Sequence, residues 1–132
     1  MMNVFVYGSL LSGLGNHGLL VGRSHFVAKA RTIDRYRMVS FHHFPALIES
    51  GDDVLILGEV YELRDWSALE RLDQLEGVPH FYYRRPILVA DKHGDRYECF
   101  CYFLNPHDER PSELPVVTSG NWLQYLIERR TG

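Results

Sequence analysis

Only two stretches of this 132-residue chain carry helical periodicity, and both are short. In residues 65–75, Trp66, Leu69, Leu72 and Leu75 recur at three-residue steps with Ala68 beside them, the spacing of one helix face. Asp65 suits the N-cap, and Ser67 with Glu70 forms a second cap pair. Gly77 suits the residue just past the helix end, and Pro79 bars continuation. In residues 119–130, Trp122, Tyr125 and Leu126 share one side, and two arginines fall near the favourable C-terminal end. Two short helices cannot supply the crossover layers of a doubly wound sheet. The remainder reads as strands. Residues 4–7 form a short, fully apolar strand ended by Gly8, and residues 25–33 and 36–41 are mixed strands. Residues 55–63 form a strand in which Gly58 marks a bulge or a close approach. Residues 82–90 and 96–104 form a hairpin around Asp91-Lys92-His93-Gly94-Asp95. Residues 44–48 contain Pro45 and read as an edge or a loop. Residues 50–53 form a turn. The glycine-rich 8–22 and the proline-rich 105–115 are irregular. The expectation is an α+β fold with one curled sheet, residues 1–132 forming a single domain.

Composition excludes several function classes. Fourteen basic against seventeen acidic residues give a net charge of −3. No basic block exists, so nucleic-acid binding lacks its electrostatic drive. Cys99 and Cys101 lie two apart in a strand, where they share a face and cannot easily bridge. They read as strand filler rather than as a nucleophile. The first residues carry no basic signal region. The longest apolar run, 99–104, falls far short of the ~18 residues a membrane span needs, so the chain is expected to be cytoplasmic and to have no membrane partner. The seven histidines (17, 25, 42, 43, 80, 93 and 107) show no zinc-ligand spacing. No metal and no cofactor are expected. His42 and His43, read as strand neighbours, point to opposite faces. Gly13-Leu14-Gly15-Asn16-His17-Gly18 fits a dinucleotide fingerprint with Asp34 downstream. The first glycine nevertheless lies too far past the strand, and Gly22 interrupts the helix that should follow. A surface loop is the better reading.

Two places can carry chemistry. In Tyr7-Gly8-Ser9-Leu10, a glycine at the strand's C-terminal end lets successive N–H groups converge, a nest for an anion or an oxyanion. Alone this is weak, since most such turns only turn. Glu76 stands at the end of the first helix, where the dipole disfavours an anion, beside Leu75, Val78, Phe81 and Tyr82. Both effects raise a carboxyl pKa and suit a general base near neutral pH. From composition alone it reads as a solvated helix-end glutamate.

Three segments together resemble the gamma-glutamylcyclotransferase-like family, and within it the small bacterial relatives of gamma-glutamylamine cyclotransferase. They are Val4-Phe5-Val6-Tyr7-Gly8-Ser9-Leu10 with Gly15-Asn16-His17; Gly58-Glu59-Val60-Tyr61; and Leu72-Asp73-Gln74-Leu75-Glu76-Gly77, continuing through Pro79 to Tyr82 and Arg84. Phe44-Pro45-Ala46-Leu47, the strand ending in Tyr102, and Ser119-Gly120-Asn121-Trp122 are fainter echoes. The resemblance implies a mixed, partly open β-barrel with flanking short helices. It implies Glu76 as the catalytic general acid/base, Tyr7, Gly8, Ser9 and Leu10 as the substrate cradle, and Tyr82 and Tyr102 as pocket walls. The implied reaction turns a gamma-glutamyl amide or gamma-glutamylamine into 5-oxoproline and a free amine, in a monomer or homodimer. The competing reading is a binding or interaction protein that keeps the fold without turnover. Whether the nest takes the α-carboxylate or the oxyanion stays open at this point.

Overall fold

A computed structural model describes residues 2–49 and 53–131. Among the described residues, seven strands and two α-helices follow one another as β1 (Asn3–Val6), β2 (Ser24–Thr32), β3 (Arg37–Ser40), β4 (Pro45–Ile48), β5 (Leu57–Leu63), α1 (Trp66–Leu75), β6 (Tyr82–Asp91), β7 (Arg96–Leu104) and α2 (Trp122–Thr131). Five strands close a barrel in the order β1-β5-β2-β6-β7. All neighbours run antiparallel except β1 and β7, so the sheet is mixed. The β6–β7 hairpin pairs from Tyr82↔Leu104 to Ala90↔Arg96. The seams are narrow: β1 meets β7 only at Val4↔Phe100, and β2 meets β6 over Ala30–Thr32. The expected mixed barrel is present, closed through these narrow seams. The β3–β4 pair makes a separate two-stranded sheet. Pro45 is tolerated there because it opens the strand, opposite Ser40, where a missing N–H costs least.

Strand β1 shows how alternation builds two cores. Val4 and Val6 belong to one buried cluster with Leu69, Leu72 and Leu104. Phe5 and Tyr7 face the other way, among Val60, Phe103 and Trp122. Cys99 and Cys101 sit together in that second cluster as free, buried thiols. Gly58 is a close approach rather than a bulge. A Cβ there would lie 2.2 Å from the Val6 carbonyl oxygen and 2.7 Å from Phe5 Cζ. The bulge is in β2, between Phe26 and Ala28.

The helices depart from expectation in instructive ways. Asp65 caps α1 by accepting from the Ala68 N–H at 3.0 Å. Ser67 donates to Asp65 instead of forming its own cap pair with Glu70. The buried face is Ala68, Leu69 and Leu72, whereas Trp66 is 62% exposed and Leu75 39%. Steps of three drift against a turn of 3.6 residues, so residues nine apart lie about half a turn out of phase. Helix α2 begins at Trp122, not Ser119. Gly120 is left-handed at φ 67°, and a Cβ on it would lie 2.2 Å from the Leu55 carbonyl oxygen. The Asn121 side chain accepts from the Gln124 N–H and starts the helix.

Residues 8–22 are not a loose surface loop. Leu10, Leu11 and Leu20 are buried, and the segment's only helical piece is a short 3₁₀ turn at His17–Leu19. Another 3₁₀ turn, Arg110–Glu113, interrupts the proline-rich crossing. His42 and His43 occupy the β3–β4 connection with ring centroids 4.6 Å apart, so they are neighbours rather than residues on opposed faces. His42 takes φ 82°, which a regular strand does not allow. Most of the turn expected at 50–53 lies outside the described residues. No helix among the described residues is long and apolar enough to cross a membrane.

Candidate active site

A cavity of about 350 Å³ opens where β1 ends, between the β3–β4 connection, the end of α1 and the β6–β7 hairpin. Tyr7, Gly8, Ser9 and Leu10 line it, and so do Glu76, Tyr82 and Tyr102. All seven residues singled out from the sequence therefore meet at one place. Asn16, His43, Phe44, Pro45 and Phe81 also line the wall and were not among them.

The first wall is the turn leaving β1. Leu11 N–H donates to the Gly8 carbonyl at 2.9 Å, closing the turn. Asn16 clamps Ser9 twice, from its N–H to the Ser9 carbonyl at 2.9 Å and from Nδ2 to Ser9 Oγ at 2.8 Å. The turn is tied to the barrel through Glu59, whose Oε1 accepts from the Ser12 N–H at 2.9 Å and from the Tyr61 hydroxyl at 3.0 Å. Gly8 is required by space: an added Cβ would fall 2.7 Å from Pro45 Cδ. Among the described residues, the N–H groups of Gly8, Ser9 and Leu10 donate to no protein acceptor. Three successive free donors in a clamped turn suit an anionic group or a developing oxyanion.

The opposite wall is the end of α1. Glu76 is the last residue in helical conformation, at φ −81° and ψ −2°. Gly77 follows at φ 66°. Its N–H bonds the Gln74 carbonyl, and the Val78 N–H bonds the Asp73 carbonyl at 3.0 Å. This two-bond closure is the Schellman pattern and needs a residue without a Cβ penalty at Gly77. It fixes the backbone from which Glu76 projects. The Glu76 carboxylate accepts no hydrogen bond from the described residues. Burial alone pushes its pKa from 4.5 to about 7.

Three tyrosines separate these walls, and each hydroxyl is committed elsewhere. Tyr7 donates to the Tyr102 carbonyl at 2.7 Å, and Tyr82 to the Pro45 carbonyl at 2.8 Å. Tyr102 donates to Asp73 Oδ1 at 2.7 Å. Burial raises the pKa of all three, and the nearby Glu76 adds to the rise. They are neutral donors at any physiological pH. Asp73 also forms an ion pair with Arg84, whose guanidinium lies over the Phe100 ring. The sequence offered a signal for Asp73, since residues three apart on a helix share a face. For Pro45 it offered only a faint family echo and for Phe81 only a place near Glu76 in sequence; that both wall the cavity follows from tertiary folding. Among the described residues, no group of three His, Cys, Asp or Glu side chains is placed to hold a metal ion.

Chemically, the cavity combines one carboxyl titrating near neutrality, one bank of free amide donors, and aromatic walls. That is equipment for moving a proton beside a polarised carbonyl.

Relatives have the same frame. Residues 4–124 match the family described as gamma-glutamyl cyclotransferase, AIG2-like. The gamma-glutamylaminecyclotransferase of Rattus norvegicus is 34% identical over 139 residues, covering 87% of this chain and 93% of the rat protein. A gamma-glutamylcyclotransferase family protein of Citrobacter rodentium is 33% identical, covering 92% of this chain and 96% of its own. The crystal structure of an AIG2-like protein of Mus musculus superposes with a TM-score of 0.78 at 28% identity, over 87% of this chain and 84% of the mouse chain. The chain thus belongs to the gamma-glutamyl cyclotransferase, AIG2-like family and is a gamma-glutamylcyclotransferase-like enzyme.

Proposed function

We propose that the chain, acting as one domain over residues 1–132, converts a small-molecule gamma-glutamyl amide or gamma-glutamylamine into 5-oxoproline and a free amine, with Glu76 as the proton carrier. The observation that carries this reading is the pairing, in one cavity, of an unpartnered carboxyl with pKa about 7 and the free N–H groups of Gly8, Ser9 and Leu10.

Such a substrate contains its own nucleophile. The α-nitrogen attacks the γ-carbonyl carbon, a five-membered ring forms, and the bond to the departing nitrogen breaks. The protein has to hold the chain curled, and orientation of this kind yields effective molarities of roughly 10⁵–10⁸ M. Two protons leave the attacking nitrogen and two reach the departing one. Glu76 carries them in turn. It takes one from the ammonium, returns it to the departing nitrogen, and repeats the transfer as the lactam and the free ammonium form. The N–H groups of Gly8–Leu10 hold the α-carboxylate or the oxyanion, and Tyr7, Tyr82 and Tyr102 wall the curled chain. In this reading neither a cofactor nor a side-chain nucleophile takes part.

The test is a panel of gamma-glutamyl amides and gamma-glutamylamines assayed for 5-oxoproline and for the released amine in equal amounts. The expected result is stoichiometric release by the native protein and a rate lower by at least about 10²-fold in Glu76→Gln. Saturable binding of the panel with no release by the native protein would establish the non-catalytic reading instead.

A further inference from the structure

Glu76 lies among hydroxyl donors and accepts from none of them. Tyr7 at the end of β1, Tyr82 on β6 and Tyr102 on β7 line its cavity. A free phenol beside a carboxylate would ordinarily donate to it, since charge-assisted hydrogen bonds are the strong ones. The nearest competitor for one of these phenols is Asp73, three residues before Glu76 on α1 and so on the same face. The Tyr102 hydroxyl is 2.7 Å from Asp73 Oδ1. The second Asp73 oxygen is held by Arg84, which fixes the carboxylate from the far side.

We propose that Asp73 is a positioning residue for the cyclisation: it captures the Tyr102 hydroxyl and so keeps that donor off the Glu76 carboxylate, leaving Glu76 free to exchange protons with the substrate. The inference rests on Glu76 being the base. Asp73 itself does not line the cavity; it reaches it only through Tyr102. The other groups facing Glu76 do not substitute for it. The Tyr7 and Tyr82 hydroxyls are taken by backbone carbonyls, and the Cys101 thiol is fully buried with its pKa pushed up by burial. His43 lines the same cavity from the β3–β4 connection.

Released from Asp73, Tyr102 would turn to the neighbouring carboxylate. A hydrogen bond to the charged form favours that form, so Glu76 would ionise at lower pH and become a weaker base. The experiment is the pH profile of kcat/KM, together with direct titration of Glu76 by carbon-13 carboxyl NMR in the same variants. In Asp73→Ala the acid limb and the NMR midpoint are expected to move down together by about one pH unit. In Asp73→Ala with Tyr102→Phe, both midpoints are expected to return toward the native value, whatever the absolute rate. In Asp73→Asn, Arg84 competes with Tyr102 for the single amide oxygen, so any shift is expected to be reversed on adding Tyr102→Phe.

Simple removal of a negative charge predicts otherwise. The double variants would then stay as far shifted as Asp73→Ala or Asp73→Asn alone. That result overturns the proposal. The Asp73→Asn pair, with and without Tyr102→Phe, keeps the test if Asp73→Ala does not fold. The NMR midpoint separates the two layers of the argument. If Glu76→Gln keeps turning over, the base reading fails, yet the midpoint still reports whether Asp73 holds the hydroxyl away.

Discussion

Two glutamates stand on either side of the turn that leaves β1, and they are handled in opposite ways. Glu59 is 7% exposed and accepts from the Ser12 N–H and the Tyr61 hydroxyl. Glu76 lines the cavity and accepts from no described residue. Glu59 is buried and Glu76 half-buried, so withdrawal from solvent alone does not make a base. Partners decide. A buried carboxylate with donors is a structural tie, because removing it strands those donors. A carboxylate desolvated without donors is pushed toward neutrality and can exchange protons at physiological pH. Glu59 anchors the turn whose residues Gly8, Ser9 and Leu10 line the same cavity as Glu76.

The largest expected effect breaks that comparison at Glu76. Glu76→Gln keeps the shape and removes the proton acceptor. General-base contributions run to about 10²–10⁴-fold, so 5-oxoproline formation should fall by at least the lower figure. Calorimetric binding of a gamma-glutamyl compound should persist, because the proposed cradle is backbone. Turnover within tenfold of native would move the base elsewhere.

Next in size is a linkage between pH and stability. The folded pKa of Glu76 is about 7 against an ordinary 4.5. Being raised, it binds a proton more readily in the folded state. The stability this gives is fully present below about pH 4.5 and is lost as pH rises through about 7. At 1.36 kcal/mol per unit the whole window amounts to about 3 kcal/mol. Native protein and Glu76→Gln should therefore melt alike at pH 4, and the variant should be the more stable above pH 7. Over the same interval kcat/KM of the native enzyme should climb, as the base ionises. Parallel melting curves at every pH would mean that Glu76 is solvated.

These effects also mark where the sequence was informative. The Asp65 cap, the Gly77 closure and the β6–β7 turn are written in local chemistry, and local spacing revealed them. Gly8–Leu10 and Glu76 were legible as a pair through family resemblance, not through spacing, since nothing local says that the end of α1 faces the end of β1. Asp73 and Pro45 stand in the family-like segments, but their contacts exist only after folding. Pro45 packs against Gly8 and accepts from Tyr82, while Asp73 reaches across to β7. Trp66 misled for the opposite reason. It fits a three-residue stripe, yet the helix turns past it and leaves it in solvent.

The two smallest effects fall at Glu59, and there the kind of substitution matters more than the position. Glu59→Ala strands both donors, at about 1–3 kcal/mol for an unsatisfied buried group. It also loosens the Ser12 end of the turn, so KM should rise more than kcat falls. Glu59→Gln should do much less, because both hydrogen bonds end on the same oxygen, Oε1, and an amide carbonyl can accept two. What is lost is the charge on the acceptor, and what is added is an amide group needing a partner, together about 1 kcal/mol. Thermal melts should place Glu59→Gln between native and alanine, with turnover within a few-fold of native. Glutamine is thus expected to be nearly silent at one glutamate and lethal to activity at the other. If Glu59→Gln abolished turnover while melting normally, Glu59 would have a share in the proton chemistry, and the division between a structural and a reactive carboxylate would fail.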